Sequence, residues 1–171
     1  MQQRDHDRYY MRLALREAEL APAIGEIPIA AVLVHRDEVL AVAHNHRELS
    51  QDPTAHAEIM VIRKAAEQRR SWRLTGASLY VTLEPCAMCA GAIVQSRIER
   101  LVFGAWDSKA GACGSIFDIP AERRLNHRVD VVGGVLEEES QALLQRFFRQ
   151  LRRESSSDTA PAPAHRPGAA E

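Results

Sequence analysis

The stretch Ser78-Leu79-Tyr80-Val81-Thr82-Leu83-Glu84-Pro85-Cys86-Ala87-Met88-Cys89 changes character at its proline. Ser78 to Thr82 follow Gly76 and form a short, mainly apolar run that reads as a strand. Pro85 lacks an N–H and has a fixed φ, which suits the start of a helix predicted over Cys86–Ser96. Upstream, Ile29-Ala30-Ala31-Val32-Leu33-Val34 is apolar throughout, as in a strand covered on both faces. Four polar residues, His35-Arg36-Asp37-Glu38, separate it from Val39–Ala43, which predicts an antiparallel hairpin. Downstream, Leu101–Gly104 and Val129–Gly134 give a fourth and a fifth strand.

Helical spacing of apolar residues predicts helices over Asp5–Ala21, closed by Pro22 and Gly25, and over His56–Arg70. A last helix runs from Glu137 to Arg153, with acids first and arginines last, as the helix dipole favours. Strands alternating with helices imply an α/β fold, in which helices flank one central five-stranded mixed sheet. Pattern alone leaves the strand order open. His44–Thr54 reads as a loop, and Ala105–Arg128 as a long connection bearing Gly111 and Gly114. Residues 1–153 read as a single domain, and residues 154–171, rich in Ser, Pro and Ala, as a disordered tail.

A chain of 171 residues fits one domain. It contains no apolar run of about eighteen residues, so no membrane span is expected. Arg4, Asp5, Asp7, Arg8 and Arg12 near the start argue against a secretory signal, and the expected location is the cytoplasm. A net charge of -1 argues against a uniformly basic nucleic-acid binder. All cationic side chains except Lys64 and Lys109 are arginines, whose planar fork suits phosphate, so their placement matters more than the sum.

Two motifs carry the chemistry: His56-Ala57-Glu58 and Pro85-Cys86-Ala87-Met88-Cys89. Together they match the H-x-E and P-C-x-x-C signature of zinc deaminases. Cysteines three apart on a helix share a face, separated by about 4.5 Å along the axis, so both sulfurs can reach one ion. His56 and Glu58 would diverge on a regular helix, and reach one site only by straddling its first turn, with Thr54 a candidate cap. Three readings remain open. With three protein donors and an open position, the site suits a catalytic zinc with Glu58 as a base. A closed structural zinc in an RNA-binding module needs a fourth donor; Cys113 lies in the long connection and reads as a packing residue. A redox pair of Cys86 and Cys89 leaves His56 and Glu58 unexplained.

Longer strings extend the match. Asp52–Met60, Leu79–Cys86, Met88–Ala92, Asn126–Val129 and Phe147–Arg149 resemble the bacterial tRNA-specific adenosine deaminase family, a branch of the cytidine deaminase superfamily. The resemblance covers Tyr9 to Arg153. It implies a three-layer cytidine-deaminase-like fold, a homodimer, and one Zn2+ per subunit held by His56, Cys86 and Cys89, with Glu58 as proton shuttle. It also implies that Asn45 hydrogen-bonds the flipped base, that Asp107 and Lys109 line the RNA groove, and that Phe148 sits near the flanking nucleotides. Family members commonly carry Arg where this chain has Trp106, and often Gly where it has Ala30. The Arg149–Arg153 stretch is one residue longer than the usual pattern.

The implied reaction is hydrolytic deamination of adenosine to inosine at the wobble position of a tRNA anticodon, chiefly of an arginine tRNA. Zinc-activated water is the nucleophile. An anticodon stem-loop is the expected partner, since a base in a single-stranded loop leaves its stack at least cost. The alternative is a small-molecule deaminase acting on cytosine, cytidine or guanine on the same fold.

Overall fold

The apolar run from Ile29 builds strand β1 (Ala30–His35), five of whose residues are buried. In the computed structural model, which describes residues 3–157, β1 lies inside a five-stranded sheet. Its partners are β2 (Glu38–His44), β3 (Ala77–Leu83), β4 (Arg100–Ala105) and β5 (Asp130–Val132), in the order β2-β1-β3-β4-β5. The β2, β1 and β3 strands pair antiparallel, whereas β3, β4 and β5 pair parallel. The sheet is therefore mixed, as expected, and its order is the part that pattern left open.

Alternating side chains feed two cores. Leu33, Leu79, Val81, Leu101 and Phe103 point to one face, where α3 (Ala57–Arg69) and α4 (Ala87–Gln95) supply Val61, Ala65, Ile93 and Val94. Val32, Tyr80 and Val102 point to the other, against Tyr10, Met11 and Ala14 of α1 (Gln3–Ala18). The last helix, α5 (Glu137–Ser157), joins α1 on that face through Leu143, which packs on Ala18 and Ala30. These are the three layers that the resemblance implied. Gly104 lets α5 approach β4: a Cβ there would lie 2.2 Å from Ser140 Oγ and 2.6 Å from the Thr82 carbonyl.

Several boundaries differ from the sequence reading. The first helix stops at Ala18, and Pro22 sits inside a 3-10 turn, Ala21–Ile24, rather than just past a helix end. Arg36 and Asp37 alone turn the hairpin, with φ of 50° and 65°, the left-handed pair that a two-residue turn needs. His35 and Glu38 thus pair with each other across the strands instead of belonging to a four-residue loop. The loop after β2 contains a one-turn helix, α2 (Arg47–Ser50). The fifth strand covers only Asp130–Val132, and the last helix continues through Glu154 to Ser157, into the expected tail. The rest of that tail, residues 158–171, lies outside the described residues.

At the end of the sheet where β4 begins, Arg100 Nη2 donates to Asp7 Oδ2 at 2.8 Å and the Tyr80 hydroxyl donates to Asp7 Oδ1 at 3.3 Å, pinning α1 down. The opposite end, where the parallel strands β3 and β4 finish, is free for a site, as is usual in α/β sheets. Among the described residues no helix is long and apolar enough to cross a membrane.

Candidate active site

The chain leaves β3 at Leu83, turns through Glu84-Pro85, and enters α4 with Cys86 as its N-cap in an extended conformation. Cys89 falls in the first turn and is buried. The helix therefore begins one residue later than the proline placement predicts, and Cys86 stands at its mouth rather than on its face. Similarly, His56 is the extended N-cap of α3 and Glu58 lies in that helix's first turn. The straddling geometry that the two-residue spacing demands is thus present.

Thr54 is not the cap of α3. Its N–H and hydroxyl both donate to Asp52 Oδ1, at 2.8 and 2.7 Å. The first-turn donor is satisfied instead from outside the segment: the Ala57 N–H donates to Asn45 Oδ1 at 3.0 Å. A local rule named the nearest Thr, and a residue from the end of β2 took the role.

Both helix N-termini bring their donors together. His56 Nδ1 lies 3.7 Å from Cys86 Sγ and 3.5 Å from Cys89 Sγ, and the three ligand atoms all fall within 4.8 Å of one another. Around a tetrahedral zinc, bond lengths of about 2.05 Å to nitrogen and about 2.3 Å to sulfur place N and S about 3.6 Å apart. The donor set and its spacing therefore fit zinc. Cys113 is outside this triangle. It is buried in the core, with its thiol near the Pro85 carbonyl at 4.0 Å, which agrees with a packing role.

Electrostatics set the groups apart. Hydrogen bonding from the Cys89 thiol, aided by His56 and opposed by burial, holds the Cys86 thiol down at about 4. The hydrogen bond to Cys86 raises the pKa of His56, and the same Cys86 interaction together with burial pushes Cys89 up. Burial raises the pKa of Glu58, a residue only 4% exposed. A carboxyl kept from water and held above its ordinary range is suited to exchanging protons near neutral pH.

A cleft of about 430 Å³ opens over these groups. His56, Glu58 and Cys86 form part of its floor; Asn45, Asp107, Lys109 and Phe148 stand around it. All the residues singled out from the sequence for the base and the RNA thus meet one cavity. Asn45 is buried, and with Oδ1 used by Ala57 its amide nitrogen makes no hydrogen bond among the described residues. Lys109 and Phe148 also border a neighbouring hollow of about 550 Å³ with Arg149 and Arg152. Three basic side chains, Lys109, Arg149 and Arg152, thus lie together beside the cleft.

The sequence reading missed Glu84. This buried carboxylate, beside the cleft, accepts from the Asp107 N–H at 2.9 Å and from the Cys113 and Ser115 N–H groups, each at 3.0 Å, and from the Ser115 hydroxyl. Burial alone would raise its pKa, but these hydrogen bonds outweigh it and hold the carboxylate below its ordinary range. Glu84 thereby ties the long connection after β4 to the turn before Cys86. Asp107 in turn accepts from the N–H groups of Lys109 and Ala110, shaping the turn that carries Lys109. The only sequence signal for Glu84 is an acid placed immediately before Pro-Cys, where no helix dipole or surface requires it.

Comparisons with known proteins place the chain among deaminases. Residues 4–152 match the family described as MafB19-like deaminase. A tRNA-specific adenosine deaminase of Bacillus subtilis is 52% identical over 151 residues, 88% of this chain and 94% of that one. One from Aquifex aeolicus is 47% identical over 84% of this chain and 95% of its own length. A structure solved in a study of A-to-I editing by tRNA:A34 deaminases superposes with a TM-score of 0.77 at 48% identity, covering 80% of this chain and 99% of that one. The guanine deaminase of Nitrosomonas europaea is more distant, at 26% identity and a TM-score of 0.68 over 82% of this chain and 83% of that one. The chain belongs to the tRNA-specific adenosine deaminases, within the MafB19-like deaminase family.

Proposed function

We propose that this protein converts adenosine to inosine at the wobble position of a tRNA anticodon, with an arginine tRNA as its main substrate. One observation carries the proposal: in a chain so similar to tRNA-specific adenosine deaminases, the buried Glu58 and the donors His56 and Cys86 line one cleft with Asn45, Lys109 and Phe148, and the third donor, buried Cys89, lies within 4.8 Å of the other two. His56, Cys86 and Cys89 would hold a zinc ion, which when bound would make water acidic enough to serve as nucleophile near neutral pH. Glu58 takes a proton from the attacking water and passes it to the ring nitrogen of adenine, so that the new C6–O bond forms without charge building on the ring. Glu58 then delivers the second proton to the departing amine, the C6–N bond breaks, and the products are inosine and ammonia. Asn45 orients the base with its free amide N–H groups. Lys109, Arg149 and Arg152 offer phosphate contacts beside the cleft, which fits a partner held at one loop.

Assembly as a homodimer and work in the cytoplasm belong to the same reading. Deleting the gene tests it: wobble inosine in the cellular tRNA pool is expected to disappear and to return with the wild-type chain but not with Glu58→Ala. Undiminished inosine after deletion contradicts it. A second reading, hydrolysis of a free base, draws on the structural likeness to a guanine deaminase. The far higher identity to tRNA-specific enzymes favours RNA.

A further inference from the structure

Trp106 is the residue that the reaction above leaves unused. It follows directly on the buried Phe103, Gly104 and Ala105 of β4, yet it is 46% exposed and stands on the wall of the same cleft as His56, Glu58 and Asn45. An indole at that position is neither a general acid or base nor a cation that could neutralise phosphate. What it offers an RNA substrate is a flat apolar face.

The ring is held in place. It meets Phe103 at right angles, with centroids 4.7 Å apart. A Cβ at Gly133 would lie 2.6 Å from Trp106 Cζ2 and 2.5 Å from Phe103 Cζ, and a Cβ at Gly114 would lie 3.1 Å from Trp106 Cζ3. Two glycines therefore make room for the indole, and its packed part is wedged while the rest faces the cleft. A stacking surface fixed before binding loses little side-chain freedom when a base lands on it. Lys109, three residues on, gives the same wall a cationic group for the backbone of a nucleotide so seated.

We propose that Trp106 is a stacking platform for a nucleobase adjacent to the target adenosine. The proposal rests on the tRNA reading above. Because stacking accepts any base with a π face, loss of the platform weakens binding of the loop without altering the chemistry at Glu58.

The test uses the fact that the chain has two tryptophans, Trp72 and Trp106. In a Trp72→Phe, Glu58→Ala protein, which leaves Trp106 as the sole indole and does not consume substrate, titration with an anticodon stem-loop should quench the fluorescence. An RNA made abasic at the 5′ or the 3′ neighbour of the target should lose that quenching for one of the two positions. In the active enzyme, Trp106→Ala and Trp106→Leu should raise KM for the stem-loop on the order of ten-fold, with kcat little changed, and Trp106→Tyr should restore most of the loss. With the decisive abasic RNA, wild type and Trp106→Leu should have the same KM. Unquenched fluorescence on saturation, or an equal KM for wild type and Trp106→Leu on intact RNA, overturns the platform while inosine formation by the wild type leaves the tRNA reading standing. No inosine from any RNA with the wild type would remove both.

Discussion

Asn45 Oδ1 accepts the Ala57 N–H at 3.0 Å, so the side chain assigned to the base also caps the helix that carries Glu58. The two duties use different atoms. The carbonyl oxygen satisfies the helix, and the amide nitrogen, without a hydrogen bond among the described residues, is the atom proposed to meet the base.

This division predicts different outcomes for two substitutions. Asn45→Ala removes both, leaves the buried Ala57 N–H without an acceptor, and should cost about 1 kcal/mol, or about 2–4 °C in Tm. Asn45→Asp keeps an acceptor next to a helix N-terminus and should retain the thermal stability while losing activity. Thermal melts and kinetics on the same preparations check it; an aspartate variant as active as wild type would show that the amide nitrogen is not needed.

The role proposed for Glu58 is that of proton carrier and not metal donor, and the triangle of candidate ligand atoms is formed by His56, Cys86 and Cys89. Glu58→Ala should keep one zinc per chain by elemental analysis and lose at least about a hundred-fold in kcat. Loss of zinc with the fold intact would instead make Glu58 a ligand.

Metal retention should divide the three cysteines. Cys86→Ser and Cys89→Ser should lose zinc and activity, whereas Cys113→Ser should keep both, because the Cys113 thiol packs beside Pro85 away from the triangle. Chelation of the wild type should lower its Tm, because an ion held by His56, Cys86 and Cys89 would join the starts of α3 and α4. A cobalt-substituted spectrum altered by Cys113→Ser would point to a closed four-ligand site.

The Glu84 tie leaves no space at Gly111, where a Cβ would lie 2.3 Å from Glu84 Oε2 and 2.5 Å from the Asp107 carbonyl. Gly111→Ala should therefore destabilise the chain by about 1–3 kcal/mol. It should also weaken RNA binding more than it reduces the turnover of bound substrate, because the segment it displaces carries Asp107 and Lys109. Denaturant melts and a KM against kcat comparison check this.

How much of this could be read from residues alone follows the range of the interactions involved. The strands were legible because β1, β3 and β4 are apolar on both faces, which only central strands of a layered fold sustain. The metal triangle was legible because Cys86, Cys89 and His56 each sit at a helix start, so spacing maps directly onto geometry. Asn45 as the cap of α3 was not, since Thr54 satisfied the same local rule and the competition is settled by a residue twelve positions away. Glu84 escaped for the same reason: its partners, Asp107, Cys113 and Ser115, lie in a distant glycine-bearing loop. The hairpin turn was misread because Arg36 and Asp37 adopt the left-handed conformation without a glycine to mark it.

Action of the Glu58 cleft on adenosine in an anticodon loop underlies each of these expectations. Incubating the purified zinc-loaded chain with a synthetic anticodon stem-loop of an arginine tRNA, followed by nucleoside analysis, tests it most directly. The account predicts inosine at the wobble position, none at other adenosines, and none with Glu58→Ala. An unchanged stem-loop, alongside release of ammonia from guanine, cytosine or cytidine by the same preparation, would contradict it.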